Sequence, residues 1–149
     1  MAMRKTIREN ITGVPYSLHD AEVTHLAVNG KTMTLHFKSG YVQCEEPYDD
    51  VDGTVEFTGI DWDCSFACVY KCKEFSLENT GVIEGEKFML KDFAENFGKH
   101  ADKEIFEIVD ETFGYNQTKL EGYLYRGDNT FECTITIYHM GDMAYLVEE

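Results

Sequence analysis

The sequence predicts a mainly β protein, an antiparallel meander of about eight strands that forms a sandwich or a partly open barrel with one short helix. Three observations predict this class. Apolar and polar residues alternate along several segments, turn residues such as Asn and Gly separate those segments, and a single segment has helical periodicity. The 149 residues predict a single domain, since a chain of this length can bury about 70% of its unfolded surface.

The clearest element is a β-hairpin over residues 18–42. Asn29-Gly30 can supply the positive φ values that a two-residue type I′ turn needs. In that register Leu26 lies opposite Met33, and the hairpin has two distinct faces. The apolar face consists of Leu26, Val28, Met33, Leu35 and Phe37. The other face consists of Val23, His25, Ala27, Thr32, Thr34 and His36.

The polar residues 1–16 predict a lead-in segment that docks through an apolar side chain. The candidates are Ile7, Ile11, Val14 and Tyr16. Beyond the hairpin, residues 41–44 and 54–58 predict short strands. An acidic loop over residues 45–53 separates them, because its proline blocks a ladder hydrogen bond and its acids prefer water.

Residues 64–73 predict a strand that contains three cysteines, Cys64, Cys68 and Cys72. Residues four apart in a strand lie about 13 Å from each other, too far for two thiolates to bind one zinc ion through bonds of about 2.3 Å. We therefore expect free thiols packed in the core.

Residues 88–97 predict the one helix, because Met89, Phe93 and Phe97 recur every fourth residue and Gly98 can end it. A later start with Asp92 as N-cap is the alternative. Residues 74–85 are ambiguous, with a short strand at Val82-Ile83 as one interpretation.

The C-terminal part predicts a β-meander, with strands over residues 105–113, 119–126, 130–139 and 143–147. One face is the expected centre of the core: Leu120, Leu124, Phe131, Cys133, Ile135, Ile137, Ala144 and Leu146. The opposite face carries Tyr123, Tyr125, Tyr138, Met143 and Tyr145 among Glu121, Glu132, Thr134 and Thr136.

Two interpretations of the tyrosine-bearing face are open. The helix or the N-terminal segment can cover it, or it can bind a ligand or a partner protein, since tyrosines combine apolar area with a polar tip. Two interpretations of Asp61-Trp62-Asp63 are also open: Trp62 can contact a basic partner, or it can anchor the start of the following strand. The candidate binding residues are Trp62, Tyr123, Tyr125, Tyr138 and Tyr145.

No catalytic residue, metal site or cofactor is predicted. The phosphate-loop, nucleophile-elbow, dinucleotide and zinc-protease motifs are absent from the sequence. His25 and His36 lie on one face of the predicted hairpin, two positions apart. The neighbouring acids, Asp20 and Glu22, have the opposite parity, so a surface histidine pair is the better interpretation.

The formal net charge of −15 disfavours nucleic acid and anionic membranes as partners and fits a basic protein or a cation. No apolar run is long enough to predict a transmembrane helix, and no secretory signal is recognised. We expect a cytoplasmic monomer or homodimer.

The opening segment Leu18-His19-Asp20-Ala21-Glu22-Val23, followed by alternating strands around Asn29-Gly30, resembles the start of several families of small acidic bacterial β-rich proteins. Some of these are uncharacterised, and some are immunity proteins of polymorphic toxin systems. The resemblance implies a non-enzymatic protein that neutralises a toxin by binding it. A small-molecule-binding β-barrel is the alternative.

Overall fold

The computed structural model describes residues 2–9, 12–72, 83–99 and 103–149. In these ranges the strands are β1 (Met3–Ile7), β2 (Tyr16–Ser17), β3 (Glu22–Asn29), β4 (Thr32–Phe37), β5 (Tyr41–Gln43), β6 (Asp50–Val51), β7 (Gly53–Phe57), β8 (Phe66–Cys72), β9 (Ile83–Met89), β10 (Glu104–Gly114), β11 (Gln117–Arg126), β12 (Asn129–Tyr138) and β13 (Met143–Glu148). A 3-10 turn (Trp62–Cys64) precedes β8, and the helix α1 (Leu90–Asn96) follows β9.

Ten strands form one antiparallel sheet in the order β1-β13-β7-β4-β3-β10-β11-β12-β8-β9, and β2, β5 and β6 form a small second sheet. The predicted β-rich class is confirmed, and the main sheet does not close into a barrel. We call the five strands from β1 to β3 in this order the first half, and the five from β10 to β9 the second half. The inner face of the sheet is the one that bears the buried core.

The predicted hairpin is present as β3 and β4, with a different turn. Asn29 pairs with Thr32, so the turn residues are Gly30 and Lys31. Gly30 has a φ of 61° and Lys31 is not in the left-handed region, the pattern of a type II′ turn. Leu26 therefore faces Leu35 instead of Met33. The register moves by two residues, which keeps each side chain on its predicted face.

Val23 is an exception to the predicted faces. It is fully buried, although alternation places it beside His25 on the polar face. The pairing shifts between Val23 and His25, which leaves Thr24 as an extra residue. Such a bulge reverses the alternation of side chains along a strand.

The predicted meander is confirmed for β10, β11 and β12, and β13 departs from it. After β12 the chain crosses to the first half, where β13 pairs with β1 and β7. Backbone bonds hold the crossing: Met140 N–H donates to Gly59 O at 2.8 Å and Gly141 N–H to Thr58 O at 3.1 Å. Met143 and Tyr145 consequently lie in the core, which corrects their predicted place on the tyrosine-bearing face.

The strand predicted over residues 64–73 is present as β8, but Cys64 and Cys68 do not face the core, and the side chain of Cys72 lies outside the described part of the structure. Ala67 and Val69 are buried, Cys68 is half-buried on the outer face, and Cys64 is exposed before the strand begins. The small inner residues leave space for the helix, where Leu90 N–H donates to Ser65 O at 3.0 Å. Cys133 is the core thiol of the described chain, and burial raises its pKa to about 12.

The helix α1 lies within the predicted span and begins after Met89, which corrects the alternative start at Asp92. Leu90, Phe93 and Ala94 are buried, and the Phe93 ring packs 5.9 Å from that of Phe97. The helix contacts β3, β8, β9 and β12. It packs on the inner side of the second half and of β3, so it does not cover the outer face of the second half.

The small sheet closes the inner side of the first half with tyrosines. The Tyr16 ring lies 5.4 Å from Tyr41 and 5.1 Å from Tyr145, and the Tyr41 hydroxyl donates to Thr54 O at 2.8 Å. Tyr16 is thus the docked residue of the lead-in segment. Ile7 is instead 40% exposed on the edge strand β1.

Some predictions fall on residues outside the described ranges. These are Ile11, Val82 and the ambiguous segment up to residue 82. In the part that is described, no helix has the length and apolar character needed to cross a membrane.

Candidate functional site

Carboxylates and tyrosines alternate in a row across the outer face of the second half. Glu107 in β10 pairs with Tyr123 in β11, Tyr123 with Glu132 in β12, and Glu132 with Tyr70 in β8. Paired residues on neighbouring strands share a face, with Cβ atoms about 5 Å apart. We call these four residues the acid–tyrosine row.

A groove of about 420 Å³ lies along this row. Asp110, Glu121 and Thr134, which form the next row of the sheet, line it together with Tyr70 and Tyr123. One wall of the groove therefore carries the carboxylates of Asp110 and Glu121, and the other carries Glu132 between Tyr123 and Tyr70. Its volume suits one or two side chains of a larger molecule.

A bulge in β10 shapes the groove. The register with β11 shifts between Ile108 and Asp110, so Val109 is an extra residue and is 37% exposed at the groove. Opposite the bulge, a Cβ on Gly122 would lie 1.8 Å from the Glu107 carbonyl oxygen, so no residue with a side chain fits without a backbone shift. The bulge also reverses the alternation, and Glu111 consequently points to the inner face.

Tyr123 is 40% exposed at the centre of the row. Its neighbour Tyr125 is half-buried, and its hydroxyl donates to Glu107 Oε1 at 3.2 Å. Partial burial, followed by the charge of Glu107, raises the pKa of Tyr125. The phenol therefore stays protonated and holds the Glu107 carboxylate in place.

The charge of the site is negative. Glu107, Asp110, Glu121 and Glu132 lie in or beside the groove. Two cations lie near it on the same face: Lys119 is two residues from Glu121 along β11, and Lys87 in β9 has its ammonium group 4.0 Å from the centre of the Phe66 ring. Four carboxylates around exposed aromatic rings form a surface that attracts a cationic group.

The structure brings together some of the five predicted binding residues and separates others. Tyr123 and Tyr125 lie side by side. Tyr138 shares their outer face but lies six residues along β12 from Glu132, about 20 Å from the row. Tyr145 is fully buried beneath the small sheet, because β13 leaves the meander. Trp62 is half-buried, and its indole N–H donates to Gly30 O at 2.9 Å, so it holds the hairpin turn.

Sequence reasoning missed Tyr70, Glu107 and Val109 as parts of the site. Tyr70 lies more than fifty residues from Tyr123 in the printed sequence, and only the pairing of β8 with β12 places it in the row. Val109 carries no distinctive signal, since a bulge has no required residue type in this position.

Two carboxylates of β10 point into the protein, one near each end of the strand. Glu104 is buried, accepts a hydrogen bond from Gly98 N–H at 2.6 Å and forms an ion pair with Arg126. Glu111 accepts a bond from Leu18 N–H at 3.0 Å through one oxygen. Its other oxygen makes no hydrogen bond to any described residue.

Three further buried polar atoms lack hydrogen-bond partners among the described residues: Thr136 Oγ1 in β12 and, near Glu111, Arg8 Nε and the Tyr145 hydroxyl oxygen. Burial raises the pKa values of Glu111 and Tyr145 and lowers that of Arg8. The Arg8 guanidinium lies 4.3 Å from the centre of the Phe113 ring. This interior cluster is less completely paired than the Glu104 site.

Within the described ranges, no three side chains of His, Cys, Asp or Glu converge on a point that could hold a metal ion. Comparisons of the chain with models of known protein families, with curated proteins and with solved structures found no match.

Proposed function

We propose that this chain is a cytoplasmic binding protein of the immunity type, which holds a basic segment of a partner protein in the groove along the acid–tyrosine row. The observation that carries the proposal is the row itself, in which Glu107, Tyr123, Glu132 and Tyr70 alternate on a face that the helix leaves uncovered.

The chemistry of the row favours arginine as the anchoring side chain of the partner. A planar guanidinium group can stack on a tyrosine ring and donate paired hydrogen bonds to a neighbouring carboxylate. Tyr123 and Tyr70 provide the rings, and Glu121 and Asp110 provide carboxylates within the same groove. A lysine would gain the charge attraction but not the planar contacts.

The charge of the whole chain supports the same partner. A net charge of −15 accelerates encounter with a basic protein, while the contacts in the groove determine how long the complex lasts. Association with the basic partner should therefore slow markedly as the ionic strength rises.

The first experiment is an NMR titration with a short peptide of alternating arginine and serine. We expect the backbone amides around Tyr123, Glu121 and Glu132 to shift. Binding should weaken as the ionic strength rises to about 0.15 M, where charges are screened within about 8 Å. The matched peptide with glutamate in place of arginine should cause no shifts.

Tyr123→Ser should weaken binding of the arginine peptide about tenfold, the effect of losing about 1.4 kcal/mol of contact with an aromatic anchor. Tyr115→Ser is the control, since Tyr115 is 92% exposed in the turn between β10 and β11 and does not line the groove. Equal effects of the two substitutions, or shifts spread evenly over the acidic surface, would contradict the proposal.

The alternative of a small-molecule-binding barrel has less support. The main sheet is open, and Leu90, Phe93 and Ala94 of the helix pack on its inner side. We likewise propose that the chain is not an enzyme.

A further inference from the structure

His25 and His36 lie directly opposite each other on the outer face of the first half. The turn at Gly30-Lys31 produces this pairing, whereas the predicted turn placed the two histidines two positions apart. Their ring centroids are 5.5 Å apart and the ring planes are inclined by 38°. His25 is exposed and His36 is half-buried, so solvent reaches the pair.

This geometry is close to that of two imidazoles on one metal ion. With metal–nitrogen bonds of about 2.0–2.1 Å, two rings in neighbouring positions of a tetrahedral or square site have centroids about 4.5–5.2 Å apart. Small rotations about the side-chain torsions bring the observed 5.5 Å into this range. The two strands hold the Cα atoms in register, so the ligands are already placed before a metal binds.

The surroundings favour a cation. Thr54 of β7 is the cross-strand neighbour of His36 on its other side, and Glu56 lies in the next row. The net charge of −15 concentrates cations near the whole surface.

We propose that His25 and His36 form an open, two-ligand site for a divalent cation that prefers imidazole nitrogen, such as Ni²⁺, Cu²⁺ or Zn²⁺. Among the described residues no third His, Cys, Asp or Glu side chain completes the site. Water or a donor group of another molecule takes the remaining positions, so the metal is exchangeable and accessible.

To test this, the full chain is titrated with Ni²⁺, and binding is monitored by calorimetry and by NMR of the histidine ring protons. The ring signals of His25 and His36 should broaden together at less than one equivalent of this paramagnetic ion. His25→Gln and His36→Gln should each weaken Ni²⁺ binding about tenfold or more, because either change removes one of the two protein ligands. Both positions have exposed or half-buried side chains, so the fold should tolerate the change, which circular dichroism can check.

Two controls separate this site from other ligands. His19→Gln removes an exposed histidine that is paired with Asp20 at 3.1 Å, and it should leave Ni²⁺ affinity unchanged. Replacement of the exposed thiols, Cys44→Ser with Cys64→Ser, should also leave it unchanged. Broadening of only one of the two rings, loss of affinity in either control, or unchanged affinity in His25→Gln would overturn the proposal.

Discussion

Glu104 and Glu111 are carboxylates of the same strand, and both point to the inner face, but their surroundings differ. Glu104 has a cation and a backbone donor, Arg126 and Gly98 N–H. Glu111 has a single backbone donor, and the nearby Arg8 forms no ion pair with it among the described residues. A buried charge without a partner costs free energy. Glu104 thus belongs to a structural ion pair, whereas Glu111 keeps one carboxylate oxygen without a hydrogen-bond partner among the described residues.

The difference follows from where each residue lies along β10. Glu104 begins the strand, next to the end of α1; it accepts a hydrogen bond from Gly98 N–H after the helix and pairs with Arg126 of β11. Glu111 follows the bulge at Val109, which turns it inward beneath the small sheet. A regular strand that retained Val109 would place Glu111 on the outer face, in water. Its burial is thus a result of the same feature that shapes the groove.

The largest expected effect on stability comes from breaking the ion pair between Glu104 and Arg126. Arg126→Leu should lower the free energy of unfolding by about 3–5 kcal/mol, because it leaves the Glu104 carboxylate buried without its cation. Urea denaturation of the variant measures the loss. Arg8→Leu is the matched change at the other site and should cost clearly less, and equal losses would remove the distinction between the two sites.

A smaller loss is expected at the bulge between the two carboxylates. Gly122→Ala places a methyl group 1.8 Å from the Glu107 carbonyl oxygen and forces β10 and β11 apart. We expect a loss of about 1–3 kcal/mol, the usual cost of overpacking. Gly127→Ala is a useful comparison in the next turn, where a Cβ has open space but the φ of 57° is strained. Amide exchange across β10 and β11 should rise in the Gly122 variant alone.

The smallest expected effect is an increase in the free energy of unfolding. Glu111→Gln keeps an acceptor for Leu18 N–H and removes a buried charge, so it should stabilise the protein at neutral pH by about 1 kcal/mol. The pKa of Glu111 is raised in the folded state, so the wild type loses stability as the pH rises from the ordinary value of 4.5 through that raised pKa. The variant lacks this loss.

Urea unfolding of the wild type and the variant at several pH values tests whether the wild type loses stability as the pH rises. The advantage of the Gln variant should be full above the raised pKa of Glu111 and should shrink as the pH falls toward 4.5. An advantage that grows toward acid pH would show that Glu111 is stabilised as a carboxylate, like a paired residue.

The sequence predicts the strands well, because alternation and turn residues are local signals. The hairpin, the meander from β10 to β12 and the helix lie close to their predicted places. It does not predict which strands pair over long separations, so the prediction places Tyr145 on the wrong face and does not include Tyr70 in the site. Nor does it predict the bulges at Thr24 and Val109, since a single extra residue has no characteristic side chain.

The bulge at Val109 has a consequence for how such a protein can change. The extra residue gives the groove its exposed Val109 side chain, while the residues on either side keep regular partners, Ile108 with Gly122 and Asp110 with Glu121. A deletion of Val109 would therefore flatten the groove and leave Glu111 opposite Leu120 on the inner face. The binding surface can change in a single step without moving the interior carboxylate, so selection can act on the two separately.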